Sequence, residues 1–324
     1  MLKGAADMEF MERPPGYRGP NLDPSGVRLR PKRLAQGVHA LMATQPPRDN
    51  SGVIIGERGA LVVDAGINTA IADQIQQIVR RLTERPILWL ANTVYHGDHT
   101  FGNAAFPAAT KVIASRQTAA AMTDLEAEKR ARAQNLHGNF EALADVTDWR
   151  RPDVVFDGHT QVDLGGRTVQ LWHFGPGNSP GDTVVWVPEA RAAWTGNLLG
   201  HRRVAPMLLE GGPAQYIDTL ARFKSTLDVK TIVPGHGPLA DGRSLDAWMA
   251  YLRELLEAVT RARQLELSAL ATIETVPLPP GHGFPSWHPA ARMNWLIRDL
   301  HRLNILATYR DLEHQDLERQ PAAA

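Results

Sequence analysis

The chain has 324 residues, 43% of them hydrophobic, with 35 Lys and Arg balanced by 35 Asp and Glu and no cysteine at all. A chain of this length buries a substantial core unaided, and the missing cysteines exclude disulfides, thiolate zinc sites and a cysteine nucleophile. A net charge of zero gives no support to a nucleic-acid partner, no stretch approaches the ~20 apolar residues of a membrane-spanning helix, and the N-terminus lacks the apolar run of a secretory signal, so the reading is a soluble, cytoplasmic protein without a membrane partner.

Residues 1–33 are rich in Pro, Gly and Arg without periodicity and read as an irregular arm. Residues 52–66 hold two apolar runs around Glu57-Arg58-Gly59, a hairpin. Ile71, Ile75, Ile78, Val79 and Leu82 recur at helical spacing over 69–83. A buried strand at 86–93 and a short one at 110–115 follow, then an amphipathic helix from Gln117 to about Asn135. Its basic residues, Lys129, Arg130 and Arg132, read as a solvated face, as does the run Arg28–Arg33. The second half repeats the order: hairpins over 160–175 and 182–197, a helix over 213–227, a strand at 230–233 with a loop to 237, and a long helix over 244–267. A Pro-rich break over 276–290 precedes a last helix at 291–307. Strands, helix, strand and helix, twice over, predict two mixed sheets face to face with helices outside.

The stretch "NTVYHGDHTFGN" over 92–103 puts His96, Asp98 and His99 at the end of a buried strand. Imidazole and carboxylate together suit Zn²⁺ or Fe²⁺. His236, in "PGHG", ends another strand and is a natural fourth member. In such loops these side chains can instead serve only as caps.

These motifs resemble the metallo-β-lactamase superfamily over about residues 35–245. The family pattern H-x-H-x-D-H, PGHTPGDT, TGD and PGHG is answered by Val94 to His99, by Pro176 to Thr183 with Asn178, by Thr195-Gly196-Asn197, and by Pro234 to Gly237. The resemblance implies an α+β fold, an αββα four-layer sandwich, in a domain of residues 34–245. Residues 246–324 are then a helical extension packed on it, with its helices a candidate homodimer surface. It also implies a reduced metal site. One of the two usual sites would keep only His96, with Val94 and Asn178 in place of histidines. The other keeps Asp98, His99 and His236, while Asn197 replaces the bridging aspartate.

Three readings follow from the resemblance. In the first, one divalent metal (zinc, with iron or manganese as alternatives) sits on Asp98, His99 and His236, with His96 as a further ligand, general base or oxyanion donor. In the second no metal binds, and Asp98 and His96 do acid–base work. In the third, His173, His201, His282 or His288 replaces the lost ligands. Asn178 and Asn197 are turn residues or amide donors to a substrate. Tyr95 and His201 are candidates to line the pocket, and Asp64 to orient the cluster loop. The implied activity is metal-dependent hydrolysis of an ester, thioester, lactone or amide carbonyl in a small molecule. The alternatives are a non-hydrolytic step (cyclisation, dehydration or isomerisation) or a scaffold without chemistry.

Overall fold

The computed structural model describes residues 12–209 and 212–319. Side chains alternate across a strand, so a strand buried on both faces feeds two cores. In the segment Ala60–Val63, Leu61 and Val63 enter one core while Ala60 and Val62 enter another. In Val184–Val187, Val185 and Val187 join Leu61 and Val63, while Val184 and Trp186 turn to a third. The shared core therefore lies between two sheets, and each outer core lies under helices.

The first sheet has seven strands in chain order: β1 (Leu29–Ala35), β2 (Val38–Ala43), β3 (Ser51–Ile55), β4 (Ala60–Val63), β5 (Ile87–Ala91), β6 (Lys111–Ser115) and β7 (Val154–Phe156). It is antiparallel up to β4 and parallel from β4 to β7. The second sheet has five strands, with β8 (His159–Asp163), β9 (Thr168–Trp172), β10 (Val184–Val187) and β11 (Ala192–Gly196) antiparallel in turn and β12 (Thr231–Pro234) parallel to β11. α1 (Thr69–Leu82) drives Ile71, Ile75, Ile78 and Val79 into the first outer core. Its N-terminus is capped by Asn68, whose side chain accepts from the Ile71 amide at 3.1 Å. α2 (Gly97–Thr100), α3 (Arg116–Ala121) and α4 (Leu125–Ala133) also belong to this half. α5 (Pro213–Thr226), α6 (Arg243–Gln264), α7 (Ala269–Thr275) and α8 (Asn294–Arg319) all send side chains into the core outside the second sheet. The architecture is the expected αββα sandwich.

Three boundaries differ from expectation. The last residues of the arm, 29–33, pair with β2 as an edge strand, where the missing amide of Pro31 is tolerated; residues 1–11 of that arm lie outside the described residues. The helix expected over 117–135 is two helices, because the Asp124 side chain accepts from the Ala127 amide at 2.9 Å and starts α4 afresh. The last helix begins at Asn294 after a 3₁₀ turn and continues to Arg319, past the expected end at 307. The division expected between 245 and 246 falls inside α6. Among the described residues, no helix is long and apolar enough to cross a membrane.

One buried histidine ties the C-terminal helices together. His301 shares a hydrogen bond with the Tyr251 hydroxyl at 2.9 Å, and Asn304 donates to the same hydroxyl at 2.9 Å. Burial lowers the His301 pKa to about 4, whereas in the unfolded chain it is about 6.5. The unfolded chain therefore takes up the proton first as pH falls, so stability is lost between about pH 6.5 and 4. Urea unfolding across that range is expected to show this loss, and a His301→Gln variant is expected to show a shallower one. Parallel curves would mean that His301 does not couple to the packing.

Candidate metal centre

Five chain segments meet at one edge of the two sheets. Asp64 follows the end of β4 and holds a left-handed φ of 58°, and strain of this kind persists only where its surroundings dictate it. Here the Asp64 carboxylate accepts from the Thr93 amide at 2.8 Å and the Thr93 hydroxyl at 2.7 Å, fixing the loop after β5. That loop leads into α2, which carries Asp98 and His99. Asn197 follows the end of β11, and His236 lies two residues beyond β12. Gly235 permits their approach, since a Cβ there would lie 2.7 Å from the His99 ring and 3.0 Å from Asn197 Oδ1.

The fifth segment, between β2 and β3, carries no motif. The Asn50 side chain donates to the Pro234 and Gly237 carbonyls at 3.0 and 2.9 Å, and the Asn50 amide donates to Gly235 at 2.7 Å. This clamp sets Asp49 beside His236, with Asp49 Oδ1 and His236 Nδ1 3.2 Å apart.

Asp49, Asp98, His99 and His236 each offer a ligand atom, and these atoms lie within 4.8 Å of one another. Asp98 Oδ2 is 3.4 Å from His236 Nε2 and 3.7 Å from His99 Nε2. Both rings are held from behind: His99 Nδ1 faces Asp64 Oδ2 at 3.0 Å, and His236 Nδ1 faces the Pro47 carbonyl at 2.7 Å. Such anchoring fixes the tautomer of a metal-binding imidazole and aims its other nitrogen inward. His99 Nε2 and Asp49 Oδ1 are buried without a hydrogen-bond partner.

The field here favours a cation. Burial opposes charge on His99, yet Asp98, Asp64 and Asp49 override it and push its pKa up to about 10. Burial and then the Asp98 charge push the Asp49 carboxyl up to about 7. Burial also works against an ionised Asp98, but His99 and Arg132 hold its carboxyl well below the usual range. Two carboxylates and two neutral imidazoles would neutralise one divalent ion, and the orphaned inward atoms fit that role.

Arg132 of α4 reaches the other oxygen of Asp98, with NH1 to Oδ1 at 3.2 Å, and its Nε is 2.9 Å from Glu128. Glu128 also accepts from the Gly97 amide at 2.7 Å. The expected solvated face is thus wrong for this residue: the Arg132 side chain is only 11% exposed. Next to it, His96 Nδ1 meets the Asn197 amide nitrogen at 3.1 Å. With that amide donating, Nδ1 accepts and the ring proton sits on Nε2, which is buried without a partner. Burial first, and then Arg132, keep His96 neutral. His96, Asp98, Arg132, Asn197 and His236 form the polar floor of a cavity of about 90 Å³, walled by apolar side chains such as Leu22, Trp248 and Leu300.

The structure thus brings together Asp98, His99 and His236, with Asp64 behind them and Asn197 beside them. His96 stands apart from the ligand group, and Asp49 completes that group instead. Asn178 does not line the cavity; its amide donates to the Met207 carbonyl at 2.7 Å. Tyr95 packs in the first outer core, edge-on to the His96 ring at 4.6 Å. None of the reserve histidines joins the group. His201 lies against Phe284, His288 stacks on the same ring, His282 lies against Tyr251, and His173 bonds to the Asp182 carbonyl.

Two facing mixed sheets with an Asp/His group at their shared edge define an αββα protein with a candidate metal site. A family model described as the metallo-beta-lactamase superfamily matches residues 46–236. Solved structures with the same fold include a metallo-beta-lactamase from Pontibacter korlensis, 19% identical over 70% of this chain and 99% of that one, with a TM-score of 0.55. DIM-1 metallo-beta-lactamase, solved after exposure to ceftazidime, is 16% identical over 70% of this chain and 97% of that one, with a TM-score of 0.53. The chain belongs to the metallo-beta-lactamase superfamily, most of whose members are hydrolases.

Proposed function

We propose that the protein is a hydrolase acting on an ester, thioester, lactone or amide carbonyl of a small molecule, with one divalent ion held by Asp98, His99, His236 and Asp49. One observation carries the reading. Two carboxylates and two back-anchored imidazoles converge on one point, a donor set whose charge balances a single ion. Zinc, iron and manganese all suit such a mixture of nitrogen and oxygen donors. When bound, the ion supplies Lewis acidity to a carbonyl and lowers the pKa of water.

The remaining work falls to the chain. His96 Nε2–H donates to the substrate carbonyl oxygen, where negative charge develops. Asn197 sets the tautomer that makes this possible. Arg132 occupies the second oxygen of Asp98 and leaves the first for the ion. Apolar side chains such as Leu22, Trp248 and Leu300 wall the cavity above these groups and would cover the carbons next to the carbonyl.

Support for one ion rather than two comes from the same residues. Val94 is fully buried in the first outer core. Asn178 is committed to Met207, and Arg132 already places a positive charge beside Asp98. The test is a panel of short-chain p-nitrophenyl esters, thioesters, lactones and amides with metal-loaded protein. Turnover is expected with at least one, abolished by chelator and recovered on adding back one equivalent of metal. No turnover across the panel with metal bound, or turnover indifferent to chelator, would count against the reading.

A further inference from the structure

Beside the catalytic cavity lies a larger one of about 430 Å³. The two share Pro47, Met293 and Leu296, so they adjoin along these side chains. The segment before β3 serves both. The Pro47 carbonyl holds His236, Asp49 joins the metal group, and Arg48 between them lines the outer cavity.

The outer cavity is cationic. Arg18, Arg48, Arg292 and His137 line it, and no Asp or Glu does. The Arg18 guanidinium lies over the Trp295 ring at 4.3 Å. Arg48 is half-buried, and its Nε donates to the Asp23 carbonyl at 2.8 Å. Burial lowers its pKa, and the charge of Arg292 lowers it further. Asp23 and Asp49 partly offset this, but Asp23 is engaged by Ser25 and Asn139, and Asp49 belongs to the metal group. Arg292 has no ion-pair or hydrogen-bond partner among the described residues. Two guanidinium groups that repel across a cavity, one of them unpartnered, form a receptor for an anion, because their planar forks match a carboxylate or a phosphate.

We infer that this cavity binds an anionic group at the far end of the substrate, so that the substrate class is an acidic carbonyl compound: a small ester, thioester, lactone or amide with a carboxylate or phosphate several bonds from the scissile carbonyl. This rests on the hydrolase reading for the reaction, though not for the binding. Met293 and Leu296, between the cavities, would cover the linking carbons.

Two measurements separate the claims. The first compares hydrolysis of monophenyl glutarate, whose free carboxylate lies at the far end, with neutral phenyl valerate on the metal-loaded protein. The anionic ester is expected to be preferred by about tenfold or more in kcat/KM, and Arg292→Gln is expected to remove that preference by raising KM for the anionic ester alone. The second titrates glutarate, and separately inorganic phosphate, into wild-type and Arg292→Gln protein by calorimetry, with no turnover needed. Whichever anion fits is expected to bind about tenfold more weakly to the variant. Absence of turnover with this difference in binding would sink the hydrolase reading and leave the anion site standing. Equal binding by wild type and variant, or none by either, would overturn the anion site whatever the protein hydrolyses. Arg292 is exposed and unpartnered, so its replacement leaves the fold intact.

Discussion

Protein purified without chelator is expected to carry close to one equivalent of a divalent metal, and Asp98→Asn and His236→Ala are each expected to lose it. Removing a group that only orients a metal ligand costs roughly 10–100-fold in metal affinity, so removing a ligand costs more. The affinity expected for both variants is therefore at least about 100-fold below wild type. The two replacements act differently. Asp98→Asn removes the carboxylate that faces both His99 and His236. His236→Ala removes a nitrogen donor and leaves Asp49 and Asp98 facing each other without an imidazole between them. Asp49→Asn provides the graded case, since Asp49 lies beside the Nδ1 edge of His236, the nitrogen already held by the Pro47 carbonyl. Its metal content is expected to lie between wild type and Asp98→Asn. Metal analysis by mass spectrometry on all four proteins decides the matter. Two equivalents in the wild type would refute a single-ion site, and full retention of metal in Asp98→Asn would refute the ligand set.

Local motifs made part of this centre readable. His96, Asp98 and His99 sit within four positions after a buried strand, and His236 follows another, and the resemblance to the superfamily's motifs implies that the two strand ends share one edge. The αββα layering was legible from the order of elements, strands, helix, strand and helix twice over, and the uniformly apolar β4 and β10 are strands buried on both faces. Asp49 could not be read this way. It reaches the centre through the Asn50 side chain, which bonds to a carbonyl 184 residues away, and no spacing near Asp49 announces that. Arg132 left a fainter trace. Leu125, Glu128 and Arg132 fall at i, i+3 and i+7, so the only large apolar residue of α4 shares a face with the ion pair. A basic cluster hid that periodicity. The split between α3 and α4 was missed because helical composition continues through Asp124, whose side chain starts a new helix instead of extending the old one.

The pair on that face is expected to contribute heavily to stability. Arg132→Met should destabilise the protein by about 3–5 kcal/mol, the usual cost of removing one partner from a buried ion pair. The residue meets that description: its side chain is 11% exposed, those of Glu128 and Asp98 are 3% and 1% exposed, and all three lie within ion-pair distance. Losing the guanidinium leaves two buried carboxylates without their shared cation. His99, whose pKa its carboxylate neighbours push up to about 10, remains beside Asp98, but Glu128 keeps the Gly97 amide, which is neutral. Adding Glu128→Gln to Arg132→Met should therefore recover part of the loss, since the glutamine oxygen still accepts from Gly97 and one uncompensated charge disappears. A double-mutant cycle in urea, run with and without metal, measures that coupling. Saturating metal should shrink the cost of Arg132→Met, because an ion on Asp98 supplies the missing positive charge. A loss below about 1 kcal/mol for Arg132→Met, the range of exposed pairs, would place Arg132 in solvent. The centre would then have to balance Asp98 with the metal alone.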